Sequence, residues 1–107
     1  MITIDDFQKV EIKVGLVIEA INKEGSEKLI RLTVDFGSET RTMFTGVRNF
    51  GYTPEYFLGK KFLFVTNLEP RKMMDEESQG MILAVDGSGG KPIFVSAENL
   101  PAGSKVR

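Results

Sequence analysis

The chain has 107 residues, 41% of them hydrophobic and 27% charged, with a formal net charge of −1 and an isoelectric point near 5.5. That length suits one domain, residues 1–107, able to bury a real core. There is no cysteine and no histidine, which excludes disulfides, zinc sites of the usual ligand types, thiol nucleophiles and a histidine base or triad. No apolar run approaches membrane-spanning length, and the N-terminus is polar by its fifth residue, unlike a signal peptide. The expected setting is the cytoplasm, with no membrane contact.

Val10 to Ala20 alternates, with Val10, Ile12, Val14, Leu16, Ile18 and Ala20 on one face. Period two over this length predicts a half-buried strand, and Gly15 in its middle predicts a bulge or bend. Asn22 to Glu27 is a polar turn. Leu29 to Phe36 alternates again, with Ile30, Leu32, Val34 and Phe36 inward. Gly37-Ser38 is a hairpin signal into a third strand, Thr40 to Val47. Thr53-Pro54-Glu55 reads as a helix start: a hydroxyl cap, proline at the first helical position, then an acid. Gly59 ends that helix. Lys61 to Asn67 is the most apolar strand, Met81 to Val85 is the next, and Gly87 to Gly90 is a hairpin tip into Ile93, Phe94 and Val95. The order is three strands, one short helix, two strands and a C-terminal hairpin extension. That is the order of a five-stranded, all-β Greek-key barrel of the OB type.

Asn67 to Ala84 is the most informative stretch. Asn67-Leu68-Glu69-Pro70-Arg71-Lys72 is followed by acidic Asp75, Glu76 and Glu77, then by Ser78-Gln79-Gly80-Met81. Pro70 lacks a backbone donor and stops sheet pairing. The segment reads as an exposed loop between two buried strands, where binding residues concentrate.

These motifs resemble the tRNA-binding OB-fold domain family, which has Asn-Leu-x-Pro-Arg-Lys followed by Ser-x-Gly-Met-x-Leu-Ala. Asp6-Phe7 and Gly15-x-Val17, Lys28-Leu29, Thr45-Gly46 and Pro101-x-Gly103-x-Lys105-Val106 extend the likeness over nearly the whole chain. The family comprises free-standing dimeric tRNA-binding proteins and C-terminal domains of methionyl-tRNA synthetases. It also occurs in synthetase-associated factors and in the phenylalanyl-tRNA synthetase β chain. Two departures stand out. The first turn lacks the family's His-Pro-x-Ala, and Asp75 replaces a usual glycine.

The resemblance and the residues together define a candidate site. Arg71 and Lys72 suit phosphates, Arg as a fork and Lys as a point charge. Lys28 and Arg31 lie outward on the second strand and could extend a phosphate-tracking patch, with Lys13 and Arg41 weaker candidates. Ser78 could bond a phosphate or ribose, Gly80 could admit a ligand to the main chain, Met81 could pack under a base, and Asn67 could read a base edge. Each has a structural alternative: cross-strand ion pairing for the cations, turn stabilisation for Asn67, Ser78 and Gly80, and core packing for Met81. Most aromatics fall at inward positions, so no strong stacking platform is expected.

The reading is a non-catalytic tRNA-binding domain that recognises tRNA by shape and phosphates, with no cofactor and no metal. The resemblance implies tRNA as partner, a homodimer, or association with a methionyl-tRNA synthetase catalytic chain. The alternative is an export-chaperone-like protein-binding module on the same fold, using a groove lined by Met73, Met74 and Met81. An enzyme is disfavoured. Glu69, Asp75, Glu76 and Glu77 have no nucleophile beside them, and Gly87 to Gly90 lacks the Lys and Ser/Thr of a phosphate-binding loop.

Overall fold

The computed structural model describes the whole chain, Met1–Arg107. A short helix α1 (Ile4–Gln8) comes first, then β1 (Ile12–Asn22), β2 (Ile30–Asp35) and β3 (Thr40–Thr45). A 3-10 turn (Arg48–Phe50) and helix α2 (Pro54–Phe57) lead to β4 (Lys61–Val65). Four short strands follow before the closing pair partner: β5 (Arg71–Met73), β6 (Glu76–Ser78), β7 (Met81–Ile82) and β8 (Ala84–Asp86), then β9 (Pro92–Phe94). β3, β2, β1, β4 and β7 form one five-stranded antiparallel sheet in that order. β5–β6 and β8–β9 are separate hairpins.

The sheet curls until its ends meet. Gln79 N–H donates to Thr42 O at 2.8 Å, Thr42 N–H to Gln79 Oε1 at 2.9 Å, and Phe44 N–H to Ser78 Oγ at 3.1 Å. These bonds pair the free edge of β3 with the β6–β7 corner and nearly close a barrel. The OB-type fold expected from the strand order is what forms. Its core holds Val17, Ile30, Leu32, Val34, Phe36, Met43, Phe57, Phe62, Phe64 and Phe94. β2 buries alternate residues as its sequence pattern predicts.

β1 corrects two expectations. The bulge is not at Gly15; the register shifts between Val17 and Glu19. Gly15 instead points into the core, where a Cβ would run into Val34, Phe36 and Phe64. The inward face is therefore Gly15 and Val17, and past the bulge Ala20, rather than the even-numbered set. A glycine is invisible to an apolar-periodicity reading, and a one-residue offset flips every side chain. Ile18 and Ile21 are accordingly exposed, while Val14 is buried on the other face. The C-terminal segment lies along this half of β1: Gly103 N–H donates to Val14 O, Val14 N–H to Ser104 O and Val106 N–H to Ile12 O. It covers the edge of β1 that β2 leaves free.

Other differences are local. α1 was not expected from the sequence, yet Thr3 and Asp6 form a reciprocal capping box at 3.1 and 3.2 Å. α2 begins at Pro54 as expected, but Thr53 makes no side-chain capping bond. The fourth strand ends at Val65 rather than Asn67, and Met81 to Val85 breaks at Leu83 into β7 and β8. Between them Arg71 to Ser78 is an ordered hairpin, not a loop. Its strands are three residues each, too short for periodicity to show.

Candidate nucleic-acid interface

The residues that lead into β2 and the end of β3 meet the β5–β6 hairpin across an open groove of about 510 Å³. Lys28, Leu29, Phe44 and Gly46 line one side, and Arg71, Lys72, Met73, Met74 and Met81 the other. A small notch of about 50 Å³ continues beside Leu68, Glu69 and Arg71. Phe44 is outward on β3, opposite Arg31 of β2, and the hairpin covers it. No fully exposed aromatic ring lies in the groove, consistent with the expected lack of a stacking platform.

The eight residues singled out by sequence separate into two groups. Lys28, Arg71, Lys72 and Met81 converge on the groove. None of the three cations has a carboxylate within 4.0 Å. The other four have polar atoms or backbone taken up by the protein itself. Arg31 Nε donates to Glu76 at 3.0 Å, and its Nη1 lies 3.5 Å from Glu19. Asn67 Oδ1 accepts from Glu11 N–H at 2.8 Å, and its Nδ2 donates to Lys9 O at 2.6 Å, tying the exit of β4 to the entry of β1. The buried Ser78 hydroxyl accepts from Phe44 N–H and donates to Gly80 O at 3.0 Å. Gly80, at φ 147°, is needed because a Cβ would lie 2.5 Å from Met43 Cε and 2.6 Å from Val65 O. The approach it permits is to the protein's own barrel seam. Lys13 pairs with Glu11 at 3.4 Å, and Arg41 pairs with Glu39 and reaches Thr66 O.

Sequence reasoning missed Lys23. Its ammonium, at the start of the β1–β2 turn, contacts Asp75 at 2.6 Å and Glu76 at 2.7 Å, and sits 5.9 Å above the Phe44 ring. Hydrogen bonds from Lys23 hold the Asp75 carboxyl below its ordinary range. Lys23 first, then Arg31, do the same for Glu76. The two carboxylates raise the pKa of Lys23 in return, Asp75 most. Two of the three acids in the Asp75–Glu77 run are therefore paired within the protein. The one sequence signal was the long-range complementarity of Lys23 with Asp75, which no local pattern reveals.

The family model described as "Putative tRNA binding domain" matches residues 12–105, most of the chain. The chain belongs to the tRNA-binding domain family. It is 44% identical over its full length to a methionine–tRNA ligase of Deinococcus radiodurans, and 42% identical over 98% of its length to one of Caldanaerobacter subterraneus subsp. tengcongensis. It spans 16% of each of those proteins. Among solved structures it is similar to a MetRS related protein from Pyrococcus horikoshii, with a TM-score of 0.94 and 42% identity, covering 100% of this chain and 98% of that one. It is also similar to the chaperone CsaA of Bacillus anthracis str. Ames, with a TM-score of 0.88 and 25% identity over 100% and 99% of the two chains. The domain thus shares its sequence family with synthetase segments and its fold with a protein named a chaperone. No helix is long and apolar enough to cross a membrane.

Proposed function

We propose that this domain binds tRNA through the groove between Lys28–Leu29 with the end of β3 and the β5–β6 hairpin, by shape and phosphate contacts and without catalysis. The observation that carries the reading is the convergence of Lys28, Arg71 and Lys72, all without acidic partners, beside carboxylates already neutralised by Lys23 and Arg31. Phosphates would meet three available cations there although the net charge is −1. Met81 and Met73 offer an adaptable apolar floor to a ribose or base. Arg31, Asn67, Ser78 and Gly80 act by shaping the site.

In this reading the domain works in the cytoplasm and raises the local tRNA concentration for a methionyl-tRNA synthetase. It would do so as an appended segment, as the span of its relatives suggests, or as a free homodimer, and a weak contact gains through effective concentration. The exposed side chains of Val10 and Val106 border one cavity near α1 and would contribute to a dimer face.

The test is binding of unfractionated tRNA over a salt series. Three neutralised phosphates should make log affinity fall against log salt with a slope of about −2 to −3. No binding at low salt would reject the reading. It would favour a protein-binding module, for which the methionine lining and the likeness to a chaperone speak.

A further inference from the structure

The β5–β6 hairpin is small, three residues per strand, and a hairpin of that size does not hold one geometry alone in water. It is tethered at both ends. At its base the buried Ser78 hydroxyl joins it to β3. At its tip Met74, with φ 63°, packs by the β1–β2 turn, where a Cβ on Gly25 would lie 3.2 Å from Met74 Cε. Beside the tip Lys23 reaches over from that turn to Asp75 at 2.6 Å and Glu76 at 2.7 Å, and Arg31 Nε of β2 meets Glu76 at 3.0 Å. The Lys23 side chain is only 10% exposed; Asp75 stands in solvent at 79%, so the pair with Glu76, 31% exposed, is the better sheltered of the two. Arg71 and Lys72 stand on the same hairpin, and Lys72 faces Glu77 across it without an ion pair.

We propose that Lys23 and Arg31 are positioning residues: by gripping Asp75 and Glu76 they clamp the hairpin against the β1–β2–β3 face, so that Arg71 and Lys72 meet Lys28 across one groove. The inference rests on the proposed tRNA contact for its functional half, and on geometry alone for its structural half. It assigns Asp75 and Glu76 a role opposite to the one their charge suggests. As bare charges beside a phosphate site they would repel RNA, and removing them would tighten binding. As the anchor of a clamp they favour binding, because a released hairpin holds the competent geometry for only a fraction of the time.

The opposite signs make the test decisive. In the full chain, amide hydrogen exchange of residues 71–78 and tRNA affinity at fixed low salt are measured for Asp75→Asn/Glu76→Gln, Lys23→Met and Lys23→Arg. Exchange in β1 and β4 serves as the check that the barrel is intact. The double amide variant and Lys23→Met should speed hairpin exchange alone. Both should weaken tRNA binding about five- to tenfold, as for a hairpin in place a tenth to a fifth of the time. Lys23→Arg should restore both. Unchanged hairpin exchange, or tighter tRNA binding by the double amide variant, overturns the clamp. If the parent protein fails to bind tRNA, the proposed function falls, and the exchange data still decide whether the hairpin is clamped.

Discussion

Two hairpins leave the same barrel and are held to it by opposite means. β8–β9 is fastened by rings. Phe94 is buried with its centroid 5.1 Å from Tyr52, 5.1 Å from Phe57 and 6.1 Å from Phe62, and the Tyr52 hydroxyl donates to Pro92 O. β5–β6 has no aromatic residue of its own; besides covering Phe44 and packing Met74 by the β1–β2 turn, it is fastened by the Lys23 and Arg31 ion pairs and one serine. Apolar burial is not screened by salt and hardly depends on pH, whereas an ionic tether responds to both. The hairpin with the ionic, tunable attachment is the one that brings two cations, Arg71 and Lys72, to the groove. Segments that meet ligands are commonly drawn from the less stable parts of a fold.

The contrast can be broken at either side. Phe94→Ala removes the ring that anchors β8–β9 and should cost about 3–5 kcal/mol by thermal or urea unfolding. A loss below about 1 kcal/mol would show that the aromatic cluster is not the anchor. At the corner between β6 and β7, Gly80→Ala must push against Met43 and Val65 O in a backbone region that side chains avoid. A loss of about 2–3 kcal/mol is expected, and a neutral result would show that the seam is soft. Ser78→Ala leaves Phe44 N–H buried without its acceptor and should cost about 1–2 kcal/mol, with faster exchange at Phe44.

The smallest effect is in pH. Asp75 and Glu76 have lowered pKa values in the fold, so their contribution is fully present above their unfolded values near about 4 and is lost as pH falls through the folded values. Lys23, raised by the same contacts, keeps its contribution below its unfolded value of about 10.5 and loses it as pH rises through the folded value. Amide protection in β5–β6 relative to the barrel should therefore be level from pH 5 to 8 and drop below about pH 4. Protection in β8–β9 should not follow it. Parallel loss in both hairpins would mean global acid unfolding rather than release of a clamp.

What the sequence made legible follows from which interactions are local. β2 alternates over a half-buried surface, so its inward set was readable residue by residue. Pro54 announced α2 through its fixed backbone angle. β1 misled because its inward residue is a glycine and its bulge falls at Ile18, where no turn residue marks it. Of the eight candidate site residues, Lys28, Arg71, Lys72 and Met81 line one groove. Asn67 and Ser78 were flagged by the same motifs, yet their side chains bond to backbone 56 and 34 residues away. A motif marks a demanding position without saying whether the demand comes from a ligand or from the chain. Lys23 was missed because its partners are over 50 residues distant.

The most direct measurement sets the two hairpins against each other. tRNA affinity across a salt series is compared for Arg71→Ala/Lys72→Ala on β5–β6 and for Lys91→Ala at the tip of β8–β9, where the lysine sits 5.1 Å over the Tyr52 ring. The first variant should weaken binding and flatten the log–log salt slope by about 1.4–1.8, and the second should leave affinity and slope unchanged. An unchanged slope for Arg71→Ala/Lys72→Ala, or a flattened one for Lys91→Ala, would contradict the placement of the tRNA site on the ion-clamped hairpin.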